Sequence, residues 1–349
     1  MPTRVVNQPS ASDLAVLIGR FQPFHLGHLA LLESALLLAP RVLVVVGSAR
    51  APRLAKNPFT AEERIATIQA SLTAAQRPRV GFVSMRDYYD EPRWARAVKA
   101  AIARECTGSV ALVGFRKDDT SSYLSLFPEW REIALPRQAP IDATALRRSY
   151  FATRGAELAA ELVAAVPAPV AQFLRQFHGT PEFEQLREEL VTLDANRQTY
   201  GSGPFVTVDA VVTAGEQLLL VQRGHAPGKG SWALPGGFLE GSERLLAAAI
   251  RELREETRIA CAESELYGAF RGVAVFDHPG RSQRGRTITH AHLFELQGPS
   301  GSSSPPSVQG ADDAQAARWF PLAELPDMTR NLFEDHFQIV DHFLKISLD

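Results

Sequence analysis

Short apolar runs alternate with stretches of helical apolar spacing from Leu14 to Tyr150, the pattern of a sheet whose strands are joined by helices. Leu14–Gly19, Arg41–Gly47, Arg79–Met85, Ser109–Gly114 and Ile133–Leu135 read as strands. Helices are predicted from about His28 to Leu38, over residues 61–72, and over Pro92–Glu105. Thr60 and Glu63 form a capping box at the start of the second, and a further helix starts within IDATALRRSY (141–150). Strands alternating with helices over this length predict a parallel sheet with helices on both faces.

The rhythm changes after residue 155. Gly155–Phe177 and Pro181–Asn196 read as helices, and TYGSGP ends the pattern, which places the domain boundary near Thr180: 1–180, a helical connector 181–202, and 203–349. Strands are predicted at Phe205–Val212 and Gln217–Gln222 around an AGE turn, then at Leu266–Phe276 and Thr287–Leu296. RWFPLAELP reads as a strand and short helix, and Asn331–Ser347 as a last amphipathic helix. Gly298–Gln315 is rich in Ser, Pro and Gly, so it is expected to be mobile and receives no role.

Composition narrows the partners. At 349 residues the chain exceeds one typical domain. Its 37 basic and 39 acidic side chains nearly cancel, so no global field draws in nucleic acid or an anionic membrane, and neither is expected as a partner. Phosphate binding must then come from local clusters. Cys106 and Cys261 form neither a disulfide framework nor a zinc pattern. The N-terminus lacks an apolar signal core, and the apolar stretch Leu29–Ala39 is interrupted by Glu33 and Ser34, so a soluble cytoplasmic protein is expected. A homo-oligomer is left open.

Two stretches carry candidate chemistry. From Ser242 to Glu256, Leu245, Leu246, Ala249, Ile250 and Leu253 make an apolar stripe, while Glu252, Glu255 and Glu256 stand at i, i+3 and i+4. Three carboxylates on one helical face repel unless they share a hard cation, which phosphate oxygens would then approach. Gly236 and Gly237 precede this helix, and Arg251 can pair with Glu243 to hold the loop against it. The bland alternative is a solvated acidic face. The other stretch is GRFQPFHLGH, at a strand-to-helix junction, where Gly19, Arg20, Phe21, His25 and His28 surround the positive end of a helix.

Gly237–Ile259 resembles the Nudix box of hydrolases that cleave a nucleoside diphosphate linked to another group. The family pattern has Gly where this chain has Arg258, from which a different helix exit is expected. GRFQPFHLGH resembles the HxGH signature of Rossmann-like nucleotidyltransferases, and its GRFQPF part, with NPFTAEER and Gly114–Trp130, is similar to the nicotinamide mononucleotide (NMN) adenylyltransferases. IDATALRRSY resembles the second nucleotidyltransferase signature, with Thr144 and Arg147 in the triphosphate-holding positions and Asp142 where many relatives have Ser.

Together the halves resemble the bifunctional NMN adenylyltransferase/Nudix hydrolase family. That resemblance implies an α/β protein: a Rossmann-like nucleotidyltransferase domain with a parallel sheet, then an α/β/α Nudix domain. It implies transfer of the adenylyl group of ATP to NMN, and hydrolysis of ADP-ribose with Mg2+, or Mn2+ in its place. His25, His28, Arg147, Glu252, Glu255 and Glu256 are the implied catalytic residues, and Glu252, Glu255, Glu256 and Gly236 the metal ligands. Gly19, Arg20, Phe21, Asn57, Trp94, Lys117, Asp118, Thr144 and Arg286 are the implied substrate contacts, Trp94 with a core role as its alternative and Arg286 with a merely solvated loop as its own. An alternative for the second half is an ADP-ribose sensor without turnover, or a hydrolase acting on a dinucleotide.

Overall fold

The computed structural model describes residues 12–114, 125–135, 141–153, 157–296 and 304–346. The chain divides into two compact units, residues 1–50 with 56–184, and residues 51–55 with 185–349.

In the first unit the elements follow as β1 (Leu14–Gly19), α1 (Leu26–Leu38), β2 (Arg41–Val46), α2 (Ala61–Ala70), β3 (Val80–Ser84), α3 (Glu91–Glu105), β4 (Val110–Gly114), β5 (Arg131–Ala134) and α4 (Ala143–Ala152). Among the described residues the five strands form one all-parallel sheet in the order β3-β2-β1-β4-β5. Consecutive residues Val42 to Val46 are buried, as a strand covered on both faces requires. One face packs Leu14, Val16, Leu43 and Val45 against Val98 and Ile102 of α3 and against Phe127. The order reverses beside β1, and in such sheets the crevice at the strands' carboxyl ends is the ligand site.

Pro167 divides the helix expected over Gly155–Phe177 into α5 (Ala160–Ala165) and α6 (Ala168–His178), because proline supplies no amide to carry a helix through its own position. Then comes α7 (Pro181–Tyr200), which runs from the first unit into the second.

The second unit continues with β6 (Phe205–Ala214), β7 (Gln217–Arg223), β8 (Trp232–Ala233), β9 (Gly236–Phe238), α8 (Leu245–Thr257), α9 (Glu263–Ala269), β10 (Phe270–Phe276), β11 (Thr287–Leu296), β12 (Ala314–Pro321) and α10 (His336–Leu344). Its mixed sheet runs β10-β11-β6-β7-β12, with β8 on β7 and β9 on β6. The expected stripe of α8 faces inward: Ala249, Ile250 and Leu253 lie in a core with Val208, Ala210, Val212, Leu266 and Phe294, and Leu245 and Leu246 pack at its margin.

Four expectations change. Leu266–Ala269 is the end of α9 rather than strand, since Glu265 accepts a hydrogen bond from the Ala262 amide (2.7 Å) and Leu266 and Ala269 bury one turn apart. The last helix starts at His336, because the Phe333 amide donates to the Trp232 carbonyl (2.7 Å) and Leu332 bridges to Trp232, which keeps the preceding segment extended. Residues 304–313, expected to be mobile, are tied to the end of α8: the Ala260 amide donates to Ser307, Gln309 to Thr257 and Ala311 to Glu256 (2.8–3.0 Å). Arg258 keeps the left-handed exit, with φ 42°, its amide donating to the Arg254 carbonyl (2.9 Å).

Candidate active sites

The mouth of α1 is built by a reciprocal histidine cap. The His28 amide donates to His25 Nδ1 (3.3 Å) and the His25 amide to His28 Nδ1 (3.4 Å), and the two rings stack with centroids 3.6 Å apart. Each Nδ1 accepts, so each neutral ring carries its proton on Nε2. Burial, and then the neighbouring His25, hold His28 well below the ordinary histidine range, so at neutral pH it is an uncharged donor. Gly19 closes β1, and Phe21, buried with φ 54°, turns the chain toward the cap.

Arg147 of α4 reaches this junction. Its guanidinium donates to the Gln22 carbonyl (2.7 Å) and the Thr144 hydroxyl (3.2 Å), which brings Thr144 and Arg147 together with the loop of the first signature. Burial, with Arg20 nearby, lowers Arg147 to about 10, still cationic at neutral pH. Asp142 caps α4 by accepting from the Thr144 amide (2.8 Å), so a carboxylate serves the capping part of the role of the serine it replaces.

Two positioning residues were not assigned from sequence. Gln22 clasps Phe59 from both sides, donating to its carbonyl (2.8 Å) and accepting from its amide (3.1 Å). Buried Arg64 donates to the carbonyls of Arg20 (2.7 Å), Gly47 (2.7 Å), Ser48 (3.2 Å) and Thr60 (3.1 Å), locking the loops after β1 and β2 to α2. The run NPFTAEER contained Arg64, but nothing in a local pattern shows that an arginine folds inward. Asn57 is buried, and its Oδ1 has no hydrogen-bond partner among the described residues. Trp94 packs at the margin of the core, edge-on to Phe127 with centroids 5.7 Å apart. Lys117 and Asp118 lie outside the described residues.

In the second unit Arg251 organises the carboxylates. It donates twice to Glu243 (2.7 and 3.1 Å) and once each to Glu252 (3.0 Å) and Glu255 (2.9 Å). Glu255 remains half exposed, whereas Glu252 and Glu256 turn inward. Glu256 accepts from the Gly236 amide (3.0 Å), and a Cβ on Gly237 would stand 2.4 Å from Glu252 Oε1, so only glycine admits this approach of strand and carboxylate. Burial pushes Glu256 up to about 8, against the Gly236 hydrogen bond, and the Glu252 charge adds to the shift. Burial raises Glu252 as well.

Among the described residues no three acidic, histidine or cysteine side chains enclose a metal position. One guanidinium nitrogen of Arg251 donates to both Glu252 (3.0 Å) and Glu255 (2.9 Å), so these two carboxylates meet there, while Glu256 turns to the Gly236 amide. Glu252 and Glu256 nevertheless fit a divalent cation. They are hard oxygen donors, Glu256 buried and Glu252 half-buried, and the Glu252 charge disfavours that of Glu256, a cost that a cation relieves. The pinned segment 304–313 adds Asp312 and Asp313, whose charges act on Glu252 and Glu256 respectively.

The basic loop after β10 divides its arginines. Arg281 is buried and paired twice with Asp335 (2.8 and 2.9 Å), while the Arg286 guanidinium donates to the Asp277 carbonyl. No helix of the described residues is long and apolar enough to cross a membrane.

Comparison with known proteins follows the same division. The cytidylyltransferase-like family model matches residues 16–140 and the NUDIX domain model residues 203–343. The nicotinamide/nicotinic acid mononucleotide adenylyltransferase of Acinetobacter baylyi is 36% identical over 187 residues, 53% of this chain and 96% of that protein. The ADP-ribose pyrophosphatase of Methanocaldococcus jannaschii is 32% identical over 142 residues, 41% of this chain and 74% of that protein. A crystal structure of a bifunctional NMN adenylyltransferase/ADP ribose pyrophosphatase from Francisella tularensis matches with TM-score 0.87 and 35% identity, covering 96% of this chain and 99% of that one. The same Francisella enzyme is also known complexed with AMP and a manganese ion.

Proposed function

Because the chain belongs to the family of bifunctional NMN adenylyltransferase/ADP-ribose pyrophosphatases, we propose that each unit carries one of the two reactions on the residues described above. In the first, the NMN phosphate attacks the α-phosphorus of ATP and pyrophosphate leaves, giving NAD. Nothing covalent is asked of the protein, so its contribution is alignment and charge. His25 and His28 offer Nε2–H donors at the mouth of α1, and Arg147 brings a cation held by the Gln22 carbonyl and the Thr144 hydroxyl. Gly19, Arg20, Phe21 and Asn57 line the approach, and Lys117, Asp118 and Trp94 are the remaining proposed contacts. The segment boundaries 1–180, 181–202 and 203–349 remain our working division of the two reactions.

In the second unit ADP-ribose and water give AMP and ribose 5-phosphate. Glu252 and Glu256 would hold a divalent cation, with Mg2+ as the proposed ion, Mn2+ as its substitute, and Glu255 and Gly236 at the margin of the site. A bound cation supplies positive charge to the diphosphate and lowers the pKa of water. Arg251 ties Glu252 to Glu243 of the preceding loop, and the Gly236 amide orients Glu256. The observation that carries this reading is the pair of buried Glu256 and half-buried Glu252 on a helix whose opposite stripe is core.

Product analysis of ADP-ribose incubated with the full chain and Mg2+ tests it. AMP release abolished by Glu256→Gln is expected, with NAD formation from NMN and ATP retained. Binding of ADP-ribose without AMP release would end the hydrolase reading and leave a sensor.

A further inference from the structure

Two cations in the second unit stand apart from the ion pairs around them. Arg223 ends β7 and is half-buried, with Nε donating to the Pro227 carbonyl (2.9 Å). Arg284, half-buried in the loop between β10 and β11, donates through Nε to the Ser282 hydroxyl (3.4 Å). Both guanidinium groups lie by the Phe333 ring, their central carbons 4.3 Å and 5.8 Å from its centroid, and Arg284 is also 5.4 Å from that of Phe238. Among the described residues neither guanidinium makes an ion pair, whereas Arg281 is spent on Asp335 and Arg251 on three glutamates.

The surroundings are built to hold this pair. Phe333 is buried, its amide tied to the Trp232 carbonyl (2.7 Å). Gly228 has φ 77°, and a Cβ there would stand 2.2 Å from the Phe333 ring, so a larger residue would displace the aromatic platform. An arginine lying by an aromatic ring keeps its planar fork of N–H donors for an anion. Two neighbouring cations in a partly desolvated place are costly unless an anion is shared between them. The Gly224 amide donates to the Asp313 carbonyl (2.9 Å) and the Ala311 amide to the Glu256 carbonyl (3.0 Å), so one short segment ties the end of β7, where Arg223 stands, to the end of α8 that carries Glu256.

We propose that Arg223 and Arg284 jointly grip the diphosphate of the nucleoside diphosphate substrate next to Glu252 and Glu256. The inference rests on the ADP-ribose reading above and deepens it by naming the phosphate contacts. Arg286, the substrate contact expected in the same loop, donates to the Asp277 carbonyl and stays a separate candidate.

The test separates the grip from turnover. Binding of ADP-ribose to the metal-free full chain is measured by calorimetry at several salt concentrations, with adenosine as the probe lacking phosphate. Arg284→Ala is expected to weaken ADP-ribose at least about tenfold and to flatten its salt dependence, leaving adenosine unchanged. Arg284→Lys should recover only part of the loss, because a point charge replaces a fork. With Mg2+, kcat/KM for AMP release should fall in parallel. Arg223→Lys is the second probe, and the Arg284 variants decide alone if it does not fold. An Arg284→Ala protein with unchanged melting temperature and unchanged ADP-ribose affinity would overturn the grip while leaving the hydrolase reading intact. Absence of AMP release from the wild type would sink the hydrolase reading, and binding would still decide the grip.

Discussion

Glu256 couples the state of the second site to pH. Its folded pKa, about 8, lies above the ordinary 4.5 because burial disfavours the charge. The folded state therefore holds a proton that the unfolded chain has released, and this contribution to stability is full below about 4.5 and lost as pH rises through about 8. Glu252 is shifted in the same direction. In the presence of a chelator, Glu256→Gln should melt higher than the wild type at pH 8 to 9, and the gap should close toward pH 5. A gap that stays constant across that range would show that Glu256 is not held protonated. A different residue-scale outcome is expected for Arg147, whose charge meets both the Gln22 carbonyl and Thr144. Arg147→Ala should lower NAD formation on the order of a hundredfold, as loss of a preorganised cation at a phosphoryl group does, without changing AMP release from ADP-ribose.

At the scale of elements, Arg64 joins what the strand pattern cannot. The apolar runs made β1, β2 and β4 legible, because their period and burial are set by neighbours in sequence. The contacts that hold the loops after β1 and β2 are long-range, from one side chain to carbonyls as far away as Arg20 and Gly47. Arg64→Met should therefore cost about 3 kcal/mol in chemical denaturation, since it leaves buried carbonyls without donors. A change under about 0.5 kcal/mol would mean that the loops hold without it. The same difference separates the parts of the second site. The helix of Glu252 and Glu256 was legible from its stripe, whereas the docking of residues 304–313 depends on backbone groups at the end of α8 that no composition reveals. Arg258 illustrates a local rule overridden, as it takes the left-handed conformation that favours glycine. Arg258→Gly should stabilise the chain by about 1 kcal/mol, read as a raised denaturation midpoint at unchanged slope.

For the molecule as a whole, both reactions could be read from motifs, and the boundary expected near Thr180 lies just ahead of the division between Glu184 and Gln185, inside α7. The helical pattern continues unbroken through α7, so sequence offers no punctuation at the point where its residues pass from one unit to the other. A polar contact makes the division physical. Glu189, buried midway along α7, accepts from the Gly228 amide (3.0 Å), in the glycine turn that admits Phe333 beneath Arg223. A fragment of residues 185–349 should accordingly keep that turn, and one of residues 203–349 should lose it. Loss of a charge-assisted hydrogen bond to a buried amide is worth about 2 kcal/mol, so the shorter fragment should melt lower and bind ADP-ribose more weakly. Glu189→Gln in the full chain isolates the contact from the rest of α7, because the amide oxygen still accepts while the charge is gone. If the shorter fragment matched the longer one in both melting temperature and ADP-ribose affinity, α7 would be a tether alone. If only the affinity fell, the helix would act on the arginine pair through Gly228 and Phe333 rather than through the stability of the fold.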